Sequence, residues 1–178
     1  MKYIFDFDDV LLDTKKLKEL MYDYLLKKGI SREVSEGYYK QVREKEFSLR
    51  NYLNHFSSDE FYEAVMNECP NLLNTKMVEL IKNLGKENCF IITNGGADFQ
   101  KDKITHSGIS HLFNEINIVP GGKKEKVESI CEKFKNEKVI FVDDKPIFFE
   151  DLNYKKYPYL KTILYNNQDL RDILISKN

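Results

Sequence analysis

No apolar run in this sequence approaches the ~20 residues that a membrane-spanning helix requires, so no membrane partner is expected. The first segment turns acidic at Asp6, too early for a secretory signal, and a cytoplasmic location is the expectation. Cysteine is sparse. Cys69, Cys89 and Cys131 are odd in number and have no CxxC spacing, which reads as free thiols in a reducing compartment rather than a disulfide framework. His55, His106 and His111 form no metal-ligand pattern, so zinc is not expected. Neither sign of charge dominates: 28 Lys plus Arg stand against 29 Asp plus Glu, where a nucleic-acid partner would call for a basic excess. Tryptophan is absent, and the 11 Tyr and 12 Phe read as packing rather than as a base-stacking platform. Internal repeats, low-complexity tracts and long linkers are lacking as well.

What is present is enough for one domain, or one domain with a modest insertion: 178 residues, 42% hydrophobic and 32% charged. Apolar β-type runs recur at Tyr3–Phe7, Cys89–Thr93 and Val139–Val142, with weaker ones at Ile116–Val119 and Thr162–Tyr165. The first three are continuous rather than alternating, as in strands covered on both faces of a parallel sheet. Between them, Met77, Leu80, Ile81 and Leu84 take helical spacing before Gly85, and Val127, Ile130, Cys131 and Phe134 do so after Gly121 and Gly122. Alternating β and α units predict an α/β sandwich with ligands at the carboxyl ends of the strands. From Asp13 to about Leu73 there is no strand candidate. Asp13 or Thr14 caps a predicted helix through Lys28, which Gly29 ends; a second runs from Ser31 to about Arg50; a third opens at Ser57 or Ser58 and runs to about Glu68.

The chemistry-bearing residues sit where the strands should stop. The first run delivers Asp6 and Asp8 at i and i+2, on one side of the chain if the strand continues. Another ends in Asp143 and Asp144. Either pair alone reads equally as turn chemistry or helix capping. Together, at the ends of two buried strands, they suggest one site for a hard divalent cation such as Mg²⁺, because clustered acids are costly without a neutralising charge. Between them Thr93, Asn94, Gly95 and Gly96 follow a strand with a hydroxyl, an amide and two permissive glycines, suited to wrapping N–H groups around phosphate oxygens. Lys123 and Lys124 open the next helix, where a cation opposes the helix dipole unless it shares an anion with the helix end.

This ordered set resembles the haloacid dehalogenase (HAD) superfamily of aspartate-nucleophile hydrolases. Asp6-Phe7-Asp8-Asp9-Val10 matches its DxDx(T/V) motif, Thr93 with Asn94-Gly95 its second, Lys123 or Lys124 its third, and Asp143-Asp144 its acidic fourth. Gln100, Lys103-Ile104, Gly108-Ile109 and Leu112-Phe113 are similar to the family's sequence after the second motif. Val127, four positions after Lys123, favours Lys123 over Lys124. Asp9 stands where glycine is common in capped members, and Phe148 where some branches place a further Asp or Asn. The resemblance implies a Rossmannoid three-layer sandwich with a parallel five-stranded sheet. The core would be 1–13 and 81–178, and 14–80 a small helical cap of the first type.

The resemblance also implies the roles. Asp6 would be the nucleophile and Asp8 the general acid–base. Mg²⁺ would be held by Asp6, the Asp8 backbone carbonyl, Asp143 and Asp144. Thr93, the Phe7 and Asn94 amides, Gly95, and Lys123 or Lys124 would hold phosphate oxygens. A small phosphorylated metabolite is the expected partner of a monomer or weak homodimer. Alternatives are a phosphomutase of the same chemistry and an idle binding protein. Cap residues Arg43, Lys45, Arg50, Asn51, Tyr52 and His55 each read as a solvated helix face ahead of a substrate contact.

Overall fold

The computed structural model describes residues 1–43 and 47–170. Five strands, β1 (Lys2–Phe5), β2 (Cys89–Asn94), β3 (Glu115–Val119), β4 (Val139–Asp143) and β5 (Leu160–Leu164), form one parallel sheet in the order β3-β2-β1-β4-β5. The α/β class and the parallel five-stranded sheet are as expected. Period-2 alternation explains why the runs are continuously apolar. Tyr3, Phe5, Cys89, Ile91, Ile140 and Val142 pack into one cluster, while Ile4, Phe90, Ile92, Val139 and Phe141 pack into a second. A strand with both faces covered has no polar positions to offer.

The helices divide between the two clusters. Helix α5 (Thr75–Leu84) adds Met77, Leu80 and Ile81 to the first, and α6 (Ala97–His106) adds Ile104; α7 (Lys124–Lys133) adds Val127, Ile130 and Cys131 to the second. Strand order reverses around β1: its sequence successor β2 lies on one side and β4 on the other. A crevice therefore opens at the carboxyl ends of β1, β2 and β4, the place where open α/β sheets bind ligands.

Among the described residues four α-helices lie between β1 and α5. Helix α1 (Thr14–Lys27) starts on Asp13, whose side chain accepts the Lys16 N–H, and stops before Gly29 at φ +87°. The single helix expected from Ser31 to about Arg50 is two, α2 (Arg32–Val42) capped by Ser31 and α3 (Leu49–His55) capped by Ser48. Ser48 accepts the Asn51 N–H, a local bond that starts a new helix where the charged composition alone favours continuing one. Helix α4 (Phe61–Met66) begins later than expected, because the Ser58 hydroxyl bonds back to the Phe56 carbonyl and caps nothing.

The aromatic load packs the interior of this helical segment. Tyr52 is buried among Tyr38, Tyr39, Phe47 and Phe56 and donates its hydroxyl to the Ser35 carbonyl at 2.7 Å. The chain enters the segment past Leu12 and leaves it at Leu73, and these two residues pair across the connections. Asn74 then caps α5 and donates to the Tyr165 hydroxyl at 2.6 Å, tying the exit to the far end of the sheet. The boundary expected between 80 and 81 falls inside α5.

Candidate active site

The site starts from how β1 ends. The ladder carries one bond beyond the strand, from the Asp6 N–H to the Val142 carbonyl at 2.9 Å. The chain then folds back, with the Leu11 and Leu12 N–H groups both on the Phe7 carbonyl. Asp9 sits at φ +56°, a left-handed conformation that Asp tolerates and glycine favours, and its carboxylate accepts the Thr14 N–H and hydroxyl at the start of α1. The sequence departure at Asp9 thus replaces conformational freedom with a hydrogen-bonded turn. In urea denaturation Asp9→Ala, which keeps the strained φ and loses the bond, should be less stable than Asp9→Gly by about 1 kcal/mol. Equal stabilities would show that φ at this position is not the constraint.

Because the strand stops at Phe5, Asp6 and Asp8 do not serve one cluster. Asp6 is 2% exposed, and its Oδ1 accepts both its neighbour Phe7 N–H (2.7 Å) and Lys123 Nζ (2.8 Å). Lys123 is itself 1% exposed, bridges to Asp143 Oδ2 at 2.6 Å and lies 4.5 Å from the Phe148 ring centroid. Phe148 is therefore a wall over Lys123, in the place where a further acid was conceivable. Lys124, half-exposed on the first turn of α7, makes no hydrogen bond or ion pair to these residues. The Asp8 carboxylate turns instead to α6, where Lys103 holds Oδ1 and Gln100 Nε2 holds Oδ2 at 2.7 Å. Lys103 is buried, and its ammonium also lies 4.7 Å from the Phe99 ring centroid.

Carboxylate oxygens of Asp6, Asp143 and Asp144 come within 4.8 Å of one another. Three acids against Lys123 leave two negative charges, the charge of one divalent cation. Asp144 Oδ1 is buried without a partner in the protein, an oxygen open to a cation or its bound water. The Asp8 carboxylate is not part of this trio. Burial raises the Asp6 pKa from 3.8 to about 7; Lys123 opposes that rise, and Asp143 and Asp8 add to it. Burial likewise raises Asp144, with Lys145 opposing and Asp143 and Asp9 reinforcing. The donor set fits a hard cation such as Mg²⁺.

Between about pH 4 and 7 the metal-free folded protein holds a proton on Asp6 that the unfolded chain has already lost. The stability this group contributes is full below its unfolded pKa and is lost as pH rises through about 7. Metal-free protein should therefore lose stability across that window, and Mg²⁺ should restore more of it at pH 8 than at pH 5. A Mg²⁺ effect on the melting temperature that is flat with pH would contradict this coupling.

One strand over, Thr93 is fully buried and its Oγ1 has no partner, leaving a hydroxyl aimed at nothing in the protein. Asn94 reaches across to the Gly121 carbonyl. Two expected anion donors are engaged elsewhere: the Gly95 N–H bonds the Val119 carbonyl at 3.1 Å, and the Phe7 N–H bonds Asp6. Gly95 serves conformation instead. Its φ is +143°, and a Cβ there would meet Gln100 Nε2 at 2.8 Å, displacing the side chain that holds Asp8.

Of the residues expected in the helical segment, Arg43 lines the cavity between that segment and the sheet edge. Arg50 lies over the Tyr62 ring at 3.5 Å and near Glu63 and Asp102; His55 stacks on Tyr38; Asn51 is exposed. Lys45 lies outside the described residues. Gln100 and Lys103, noted in the sequence only as part of a resemblance, are the site residues whose contacts sequence reading did not supply. The signal available was a lysine on the buried face of a helix, a position that demands a charged partner.

The sequence profile of the haloacid dehalogenase-like hydrolase family matches residues 3–152. Solved structures of similar fold cover 99% of the chain. They include a HAD-superfamily hydrolase, subfamily IA, variant 1, of Geobacter sulfurreducens PCA (14% identity, 96% of that chain, TM-score 0.65). A predicted phosphoglycolate phosphatase of Haemophilus somnus 129PT is 19% identical over 97% of its length, with TM-score 0.52. The L-2-haloacid dehalogenase of Xanthobacter autotrophicus is 12% identical over 83%, with TM-score 0.55. At these identities the likeness carries the fold. No curated protein matches the chain.

Proposed function

The chain belongs to the haloacid dehalogenase-like hydrolases, and on that premise we propose that it is a Mg²⁺-dependent phosphomonoester hydrolase acting on a small phosphorylated metabolite. The observation that carries this reading is the convergence of Asp6, Asp143 and Asp144 at one sheet edge around a buried oxygen without a partner. Carbon–halogen chemistry expels halide, which needs no proton, and so gives a second acid at Asp8 no leaving oxygen to serve.

Mg²⁺ would be held by Asp6, Asp143 and Asp144 with the Asp8 backbone carbonyl, and when bound it supplies charge neutralisation for the phosphoryl oxygens. An Asp6 carboxylate oxygen attacks phosphorus in line; the bond from phosphorus to the leaving oxygen breaks, and Asp8 gives that oxygen its proton. Water then attacks the same phosphorus, its proton passes to Asp8, and the bond to Asp6 breaks to release inorganic phosphate. Lys123 and the Thr93 hydroxyl hold equatorial oxygens, and the Phe7 N–H, released from Asp6, serves a third. Residues 14–80 act as a cap that excludes water, on a monomer or weak homodimer. Among the described residues no helix is long and apolar enough to cross a membrane.

Ligand binding to the native state shifts unfolding by mass action, ~2.7 kcal/mol at a hundredfold excess over Kd. Saturating Mg²⁺ should raise the melting temperature by several degrees, and Asp144→Asn should remove most of the rise. A screen for phosphate release over sugar phosphates, nucleotides and other small phosphomonoesters, with and without Mg²⁺, tests the activity itself. Release that ignores Mg²⁺ would overturn the reading.

A further inference from the structure

The cavity of about 420 Å³ between cap and sheet edge gathers more positive charge than phosphoryl transfer uses. Lys15 and Lys18 reach it from α1, three residues apart on one face; Arg43 reaches it from the end of α2, and Lys145 from the turn after β4. Tyr39, four residues before Arg43, lies between them: Lys18 Nζ is 5.6 Å and the Arg43 guanidinium 5.9 Å from its ring centroid. The neighbouring ion pairs of these helices are made by other residues, Lys16 with Asp13 and Arg32 with Glu19 and Glu36. Among the described residues Lys15, Lys18, Arg43 and Lys145 have none.

The carboxylates lining the cavity do not balance these four. Asp8 is taken by Lys103 and Gln100, and Asp9 is held at the start of α1 by Thr14. The trio of acids with Lys123 is matched by one divalent cation, and Asp8 by Lys103. Among the described residues, four cations against Asp9 leave three positive charges. A phosphoryl dianion accounts for two of them. One positive charge is left on the cap side, and a closing cap that excludes water makes an unmatched charge costly.

We propose that the leaving group of the substrate carries a second anionic group, a carboxylate or a further phosphate, which binds on Lys18 and Arg43 beside the Tyr39 ring. This rests on the phosphomonoesterase reading. The compounds for the test are pairs on one carbon skeleton that differ in the second anionic group, 3-phosphoglycerate against glycerol 3-phosphate and fructose 1,6-bisphosphate against fructose 1-phosphate, assayed for phosphate release with Mg²⁺. The anionic member of each pair should have the higher kcat/KM by about tenfold or more, and the preference should shrink with added salt. In the double variant Lys18→Gln/Arg43→Gln the ratio within each pair should collapse toward one. Equal kcat/KM within both pairs, or a ratio that the double variant leaves intact, overturns the second-anion site while phosphatase activity stands. Absence of phosphate release from all four compounds and from p-nitrophenyl phosphate overturns the phosphatase reading and the inference with it.

Discussion

Replacing Asp6 with Asn should bring phosphate release down by at least about 10⁴-fold while leaving the fold intact. The scale is that of removing a nucleophile. The Asn keeps the shape of the side chain and the oxygen that Lys123 and the Phe7 N–H hold, yet its amide cannot form an acyl phosphate. Stability should move the other way. Burial holds the Asp6 pKa near 7, so above that pH the metal-free protein carries a desolvated carboxylate that the neutral Asn does not have. Metal-free Asp6→Asn should therefore melt at or above the wild-type temperature at pH 8. Activity lost together with stability would mean that Asp6 supports structure and that the chemistry lies elsewhere.

Asp8→Asn should fail differently. It spares the attacking carboxylate and the backbone carbonyl assigned to the metal, so only the proton transfer is lost, typically worth ~10²–10⁴-fold. That loss should fall on alkyl phosphates, whose leaving oxygen needs a proton. It should be much smaller for p-nitrophenyl phosphate, whose leaving group departs as the anion. Lys103 and Gln100 occupy both oxygens of this carboxylate, which makes Lys103 a positioning residue for it. Lys103→Met should reproduce the same dependence on leaving group to a lesser degree. A uniform loss on both substrate types would show that Lys103 serves only packing.

The strands and the acid trio were legible because both follow from local rules. Continuous apolar runs such as Cys89–Thr93 announce two covered faces, and Asp143 and Asp144 stand at the end of one such run. The Asp8–Lys103 pair was not legible as a contact. Ninety-five positions separate the two, and what joins them is the pairing of β1 with β2 and the run of the chain from the end of β2 into α6. The break between α2 and α3 was missed for a smaller reason. Neither Gly nor Pro marks it, propensity is a weak prior, and the Ser48 cap is one hydrogen bond among residues that all tolerate helix. Position beside the motifs suggests Phe7 and Gly95 as anion donors, whereas in the metal-free protein their N–H groups bond Asp6 and Val119, and only the Phe7 N–H, held by the reacting carboxylate itself, is carried into the proposal. Which backbone donors are free depends on where each turn closes, and spacing does not encode that.

The central claim is that Asp6 accepts the phosphoryl group. Wild-type protein and Asp8→Asn, whose hydrolytic step is slowed, are incubated with acetyl phosphate and Mg²⁺, quenched in acid and reduced with borohydride, which converts an aspartyl phosphate to homoserine. Peptide mass spectrometry should then find homoserine at position 6 in both proteins, more in the Asp8 variant, and none when Mg²⁺ is omitted. Homoserine at position 8 or 143, or phosphate retained on a serine, would contradict the account.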